Sequence, residues 1–163
     1  MRDEAIETAA SALLALCRGR GWKLATAESC TGGLIAGALT DRAGSSDVVE
    51  GGFVTYSDAA KTALLGVPAG LFERVGAVSP EVARAMAEGA LARLPATHLA
   101  ISATGIAGPG GATPGKPVGL VHFGVAFRGR KVESYAEIFP GDRDAVRRAA
   151  VLRALELLRA AAG

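Results

Sequence analysis

Short apolar, strand-like runs alternate with helical stretches along most of this chain, and near its end two strand-like runs follow one another directly. That order limits the fold more than any other feature. Ile6, Ala9, Ala10, Leu13, Leu14 and Cys17 recur at helical spacing within residues 3 to 19, and Gly19 and Gly21 stop the pattern. Lys23 to Ala27 fits a buried strand, and Leu34, Ile35, Ala38 and Leu39 mark a second helix. Val48 to Tyr56 is rich in β-formers, with Gly51-Gly52 marking a candidate bulge. Ser57 reads as the cap of a short helix ending at Gly66, with Pro68 beyond it. Ser79-Pro80-Glu81 reads as the start of a helix reaching Leu94. His98 to Ala103 is a further buried strand. Val118 to Phe127 and Lys131 to Phe139 form a hairpin around Gly129, and Asp142 caps a last helix. The expected architecture is α/β: a three-layer α/β/α sandwich around a mixed, mostly parallel sheet of about five strands, one of them antiparallel. With 163 residues and no linker or repeat, a single domain is expected.

A net charge of +2 is too small to argue for nucleic acid, and Arg147-Arg148 fits a solvated helix face. Two cysteines and two histidines give no disulfide framework and no metal-ligand spacing, so no metal and no cofactor are expected. Cys17 lies on the apolar stripe of the first helix. The start of the chain lacks the basic and apolar regions of a signal peptide, and no run suits a membrane span. A soluble, cytoplasmic protein is the expectation, with no membrane partner.

Chemistry concentrates at Ser29, Tyr56 and Lys61. A serine hydroxyl needs a base beside it, and neither His98 nor His122 lies in a turn or at a helix start. Lysine can act as that base if its surroundings favour the neutral amine, whereas arginine cannot. The chain has fourteen arginines and only four lysines, so each lysine invites a question. Lys61 falls early in a helix capped by Ser57, where the helix dipole favours loss of its proton. Tyr56 could relay a proton or hydrogen-bond the serine oxygen. If Ser29 stands at a helix start, the free N–H groups of Cys30, Thr31 or Gly32 could bind an oxyanion. Each residue also has a plain reading: Ser29 as an N-cap, Lys61 as a solvated helix residue, Tyr56 as a strand-end aromatic, Cys30 as packing or a rival nucleophile.

Thr104-Gly105-Ile106-Ala107-Gly108-Pro109 follows a buried strand, where backbone N–H groups can gather around an anion; a plain flexible loop is the alternative. Gly110 to Lys116 matches part of a phosphate-binding Walker A pattern. Pro117 stands where the hydroxyl belongs and a strand follows, so the match is rejected. Arg143, in the first turn of the last helix, has the wrong sign for the dipole. It suits pairing with Asp142 or Asp144, or a phosphate or carboxylate ligand.

These residues fall in runs that closely resemble the CinA C-terminal domain family, the nicotinamide-nucleotide amidases. The runs are Ala27-Glu28-Ser29-Cys30-Thr31-Gly32-Gly33, Gly51-Gly52-Phe53-Val54-Thr55-Tyr56-Ser57, Gly76-Ala77-Val78-Ser79, Gly105-Ile106-Ala107-Gly108-Pro109, Lys116-Pro117-Val118-Gly119 and Phe139-Pro140-Gly141-Asp142-Arg143. The resemblance implies deamidation of nicotinamide mononucleotide to nicotinate mononucleotide and ammonia. Ser29 would be nucleophile, Lys61 its base, Tyr56 an assisting hydroxyl and Arg143 a cation on the substrate. It also implies a three-layer α/β/α fold. Many members carry a further N-terminal domain resembling molybdopterin-binding proteins, and this chain is expected to be the stand-alone amidase. The 5′-phosphate would sit against the glycine loop and Arg143, with Lys116 a weaker candidate. A nucleotide-binding or regulatory module without turnover, linked to competence and DNA damage, is the second reading; direct DNA binding is poorly supported. Periodicity does not give oligomeric state, and a homodimer stands as a bare expectation.

Overall fold

The computed structural model describes residues 2–163. In chain order they form α1 (Glu4–Arg20), β1 (Leu24–Glu28), α2 (Leu34–Thr40), a 3-10 turn (Ser45–Asp47), β2 (Val49–Val54), α3 (Asp58–Leu65), α4 (Ala69–Val75), α5 (Pro80–Arg93), β3 (Leu99–Gly105), β4 (Leu120–Phe127), β5 (Glu133–Ile138) and α6 (Arg143–Ala162). The helix ends follow local chemistry. Asp3, Ser57, Ser79 and Asp142 each accept an N–H from the first turn of the helix they precede, and Gly21 and Gly66 close α1 and α3 in the left-handed region. Helix α4 was not anticipated. It has seven residues, none of them fully buried, and a glycine in its first turn, so its short apolar side, with Leu71 and Phe72 packed on the smaller core, is under two turns long and easily missed.

The sheet runs β2-β1-β3-β4-β5. Strand β1 is parallel to both β2 and β3, while β4 is antiparallel to β3 and β5, which makes β4 the single reversed strand. The expected mixed, mostly parallel sheet is what forms. Its β1–β2 register passes from Leu24↔Val49 to Ala25↔Gly51, so Glu50 is the extra residue of a bulge beside the two glycines. A side chain at Gly52 would run into Thr26 and Ala36.

Helices cover both faces, and the alternation of side chains along each strand decides how closely. Leu24, Leu99, Ile101 and Phe123 join the larger core beneath α1, α2 and α6. Each such residue contributes about 1.5–3 kcal/mol when fully buried. The opposite face carries Ala25, Ala27 and Ala100, packed with Val82, Met86 and Ala90 of α5. Small residues let α5 approach until Ser102 Oγ donates to the Ala83 carbonyl at 2.5 Å and accepts the Gly124 N–H at 2.9 Å.

From β1 the chain proceeds to β2 on one side of the sheet, and from β3 to β4 on the other. The carboxyl ends of β1 and β3 therefore flank a topological switch point, the crevice where open α/β sheets bind ligands. No helix among the described residues is long and apolar enough to cross a membrane.

Candidate active site

Ser29 leaves the carboxyl end of β1, and its N–H donates to the Ala103 carbonyl of β3 at 2.9 Å. On the other side, the Thr55 N–H donates to the Glu28 carbonyl at 2.8 Å, which brings the end of β2 alongside. One turn into α3, Lys61 extends back beneath these strand ends and is only 1 % exposed. Its Nζ lies 3.0 Å from Ser29 Oγ, 2.9 Å from the Thr55 carbonyl oxygen and 3.3 Å from that of Tyr56. A neutral amine has two N–H groups and one lone pair. The two carbonyls can accept the former, leaving the lone pair facing the serine hydroxyl. Both carbonyls would serve an ammonium equally well; burial is what pulls the lysine below its usual range, against an opposing push from Asp58 and Cys30. Ser29, with a hydroxyl 8 % exposed at the residue level, faces a cavity of about 260 Å³.

Ser29 is not the cap of α2. Gly32 and Gly33 both take positive φ, 57° and 98°, so the chain makes a turn after Ser29 and the helix begins only at Leu34. The Gly32 N–H is taken by the Ser29 carbonyl at 3.0 Å, which removes it as an oxyanion donor. Thr31 is fully buried and lies off the cavity wall, while Cys30 lines it. Tyr56 turns a different part of itself to the site than expected. Its carbonyl faces Lys61, and its side chain, 62 % exposed, accepts a hydrogen bond from Arg143 at 3.0 Å. Arg143 pairs with neither Asp142 nor Asp144. It donates to Tyr56 and to the Gly108 carbonyl at 2.9 Å, bridging the end of β2 and the glycine loop across the cavity mouth. Thr104, Gly105 and Gly108 all line the cavity. Thr104 Oγ1 is bound to the Ala77 carbonyl, and Gly105 and Gly108 press so closely on Leu120, Val121 and Val118 that side chains there would clash. Lys116 lies outside the cavity wall, donating to the Val75 carbonyl.

Residues 6–162 match the CinA C-terminal domain. The chain belongs to that family. A CinA-like protein of Mycolicibacterium vanbaalenii is 57 % identical over 141 residues, covering 86 % of this chain and 33 % of its own length. The crystal structure of the competence/damage inducible protein CihA from Agrobacterium tumefaciens superposes with a TM-score of 0.94 at 46 % identity, covering 98 % of this chain and 97 % of that one. A CinA superfamily protein from Escherichia coli gives 0.91 at 38 % identity, covering 98 % and 93 %. The chain spans about one third of the length of the curated relatives it matches.

Two residues that shape this CinA site escaped the sequence reading. Glu28, the fully buried neighbour of Ser29, accepts the N–H groups of Ile35 and Ala36 at 2.8 and 3.0 Å. It caps α2 from within a strand and so anchors the far end of the serine turn. Its signal was an acid inside an apolar run just before Gly-Gly. Arg147, expected on a solvated face, points inward: Nε donates to the Cys30 carbonyl at 3.0 Å. Its neighbour Arg148 is ion-paired with Asp3.

Burial pushes the Cys30 thiol up to about 12 and the Cys17 thiol to about 11. Both are then thiols rather than thiolates at neutral pH, which disfavours either as a nucleophile. Iodoacetamide at pH 7 is expected to leave any hydrolytic activity unchanged, measured as turnover before and after treatment; rapid inactivation would point to Cys30.

Proposed function

We propose that this chain is a cytoplasmic nicotinamide-nucleotide amidase that hydrolyses the carboxamide of nicotinamide mononucleotide to nicotinate mononucleotide and ammonia. The observation that carries the reading is the 3.0 Å approach of a buried lysine amine to Ser29 Oγ at the wall of a cavity. The resemblance of the surrounding runs to the amidases supplies the substrate.

Lys61 takes the Ser29 proton as Oγ bonds to the carboxamide carbon. The negative charge moves to the carboxamide oxygen, toward which the Cys30 N–H is the remaining turn donor. Collapse of the tetrahedral centre breaks the C–N bond, and the Lys61 ammonium returns its proton to the nitrogen, which leaves as ammonia. Water then attacks the nicotinoyl ester, again giving up a proton to Lys61, and Ser29 regains its hydrogen as the acid departs. Arg143 uses two of its N–H groups on Tyr56 and Gly108, which leaves the others for the substrate phosphate.

The test is ammonia release from nicotinamide mononucleotide in buffer with a chelator, with mass spectrometry of the quenched protein for a nicotinoyl adduct on Ser29. Both are expected. A chain that binds the nucleotide and releases no ammonia would instead be a non-catalytic, regulatory binder.

A further inference from the structure

One charged group in the cavity wall is left over by this mechanism. Asp58, the first residue of α3, lines the same cavity as Ser29 and Lys61. It is the only acid there, and it makes no hydrogen bond or ion pair among the described residues. The other acids nearby are occupied: Glu28 holds α2, and Asp142 caps α6. A free carboxylate beside the base is a disadvantage in the empty cavity, because its field holds the proton on Lys61. With Lys61 neutral, the wall presents one carboxylate and one guanidinium, Arg143. Such a wall complements a dipolar ligand, cationic at one end and anionic at the other.

We propose that Asp58 is a specificity-determining residue, one that selects carboxamides borne on a cationic ring over neutral ones. This deepens the amidase reading and rests on it. A quaternised pyridinium carries its charge in the ring that bears the carboxamide, so placing that carboxamide at Ser29 puts the positive charge in the cavity that Asp58 lines. Pairing then removes a field that opposes loss of the Lys61 proton, and the ring's own charge favours that loss further. The charged and titratable groups facing the amine are Asp58 from α3 and Cys30 from the serine turn, with Arg143 of α6 at the mouth. None of the others reverses this effect. A bound cationic amide therefore favours the neutral base, and a neutral amide does not.

Two probes isolate the charge: 1-methylnicotinamide, a cation, and nicotinamide, its neutral counterpart. Their affinities would be measured by ligand-observed NMR at low salt, on the Ser29→Ala chain to prevent turnover. The cation is expected to bind about two- to fivefold more tightly, the scale of one exposed ion pair. Asp58→Asn should reduce the ratio to about one, and Asp58→Glu should keep most of it, with circular dichroism confirming that both fold. Equal affinities with Asp58 present, a preference that survives Asp58→Asn, or no binding of the cation would each overturn the proposal. Ammonia release from nicotinamide mononucleotide separates the two readings. Turnover without charge preference sinks the role of Asp58 alone, whereas charge preference without turnover sinks the amidase and leaves the ring selection standing.

Discussion

Ser29→Ala and Lys61→Met should each lower ammonia release by about 10³-fold or more, and the double variant should be no worse than the poorer single one. Nucleophile and base act as one unit: without the amine the hydroxyl stays protonated, and without the hydroxyl the amine has nothing to activate. Their losses therefore do not add. The chain should still fold, because methionine fills the space of the lysine stem and an amine that burial disfavours has been removed. A pH series strengthens the test. The folded chain holds the Lys61 pKa below its ordinary value, so between those two values the unfolded chain binds the extra proton and stability rises with pH. Activity rises over the same lower limb, as the amine becomes neutral. Lys61→Met should flatten that component of the stability profile. A variant retaining wild-type turnover would remove Lys61 from the chemistry, and additive losses would mean that the two residues act separately.

Gly124→Ala should be among the most damaging small changes in the scaffold. A methyl group there would overlap the Ala83 carbonyl of α5 and press on Ser102 Oγ, and backbone cannot swing aside as a side chain can. The helix would have to lift from the sheet, breaking the Ser102 hydrogen bond to Ala83. A loss of about 3 kcal/mol is expected, which for a chain of this size lowers Tm by about 10 °C. Thermal unfolding followed by circular dichroism measures it. A Tm within about 2 °C of wild type would show that α5 can move away freely. Gly89, which faces the Leu65 carbonyl, is expected to behave in the same way.

Where the sequence was legible, local chemistry decided the outcome. Ser57, Ser79 and Asp142 cap the helices they precede because the hydrogen bond is made within four residues. The element order carried the sheet, including the reversed β4, because two strands without a helix between them can only pair as a hairpin. The misreadings involve partners distant in sequence or backbone angles that composition does not specify. Arg147 reads as solvated until the serine turn, over a hundred residues away, is packed beneath it. Ser29 looks like a cap because Gly32 and Gly33 give no sign of the turn they make before α2 starts. Likewise Tyr56 lies near Lys61, but which of its atoms faces the amine depends on how the end of β2 is oriented.

That last arrangement has an evolutionary consequence. Lys61 is aimed by main-chain oxygens at positions 55 and 56 rather than by side chains. At the exposed position 56 the side chain can change without moving the amine, provided the strand still ends where it does, whereas the buried Thr55 is held by its packing as well. Tolerance to substitution at position 56 and alignment of the amine are thereby partly uncoupled, and the tyrosine hydroxyl answers instead to Arg143 at the cavity mouth.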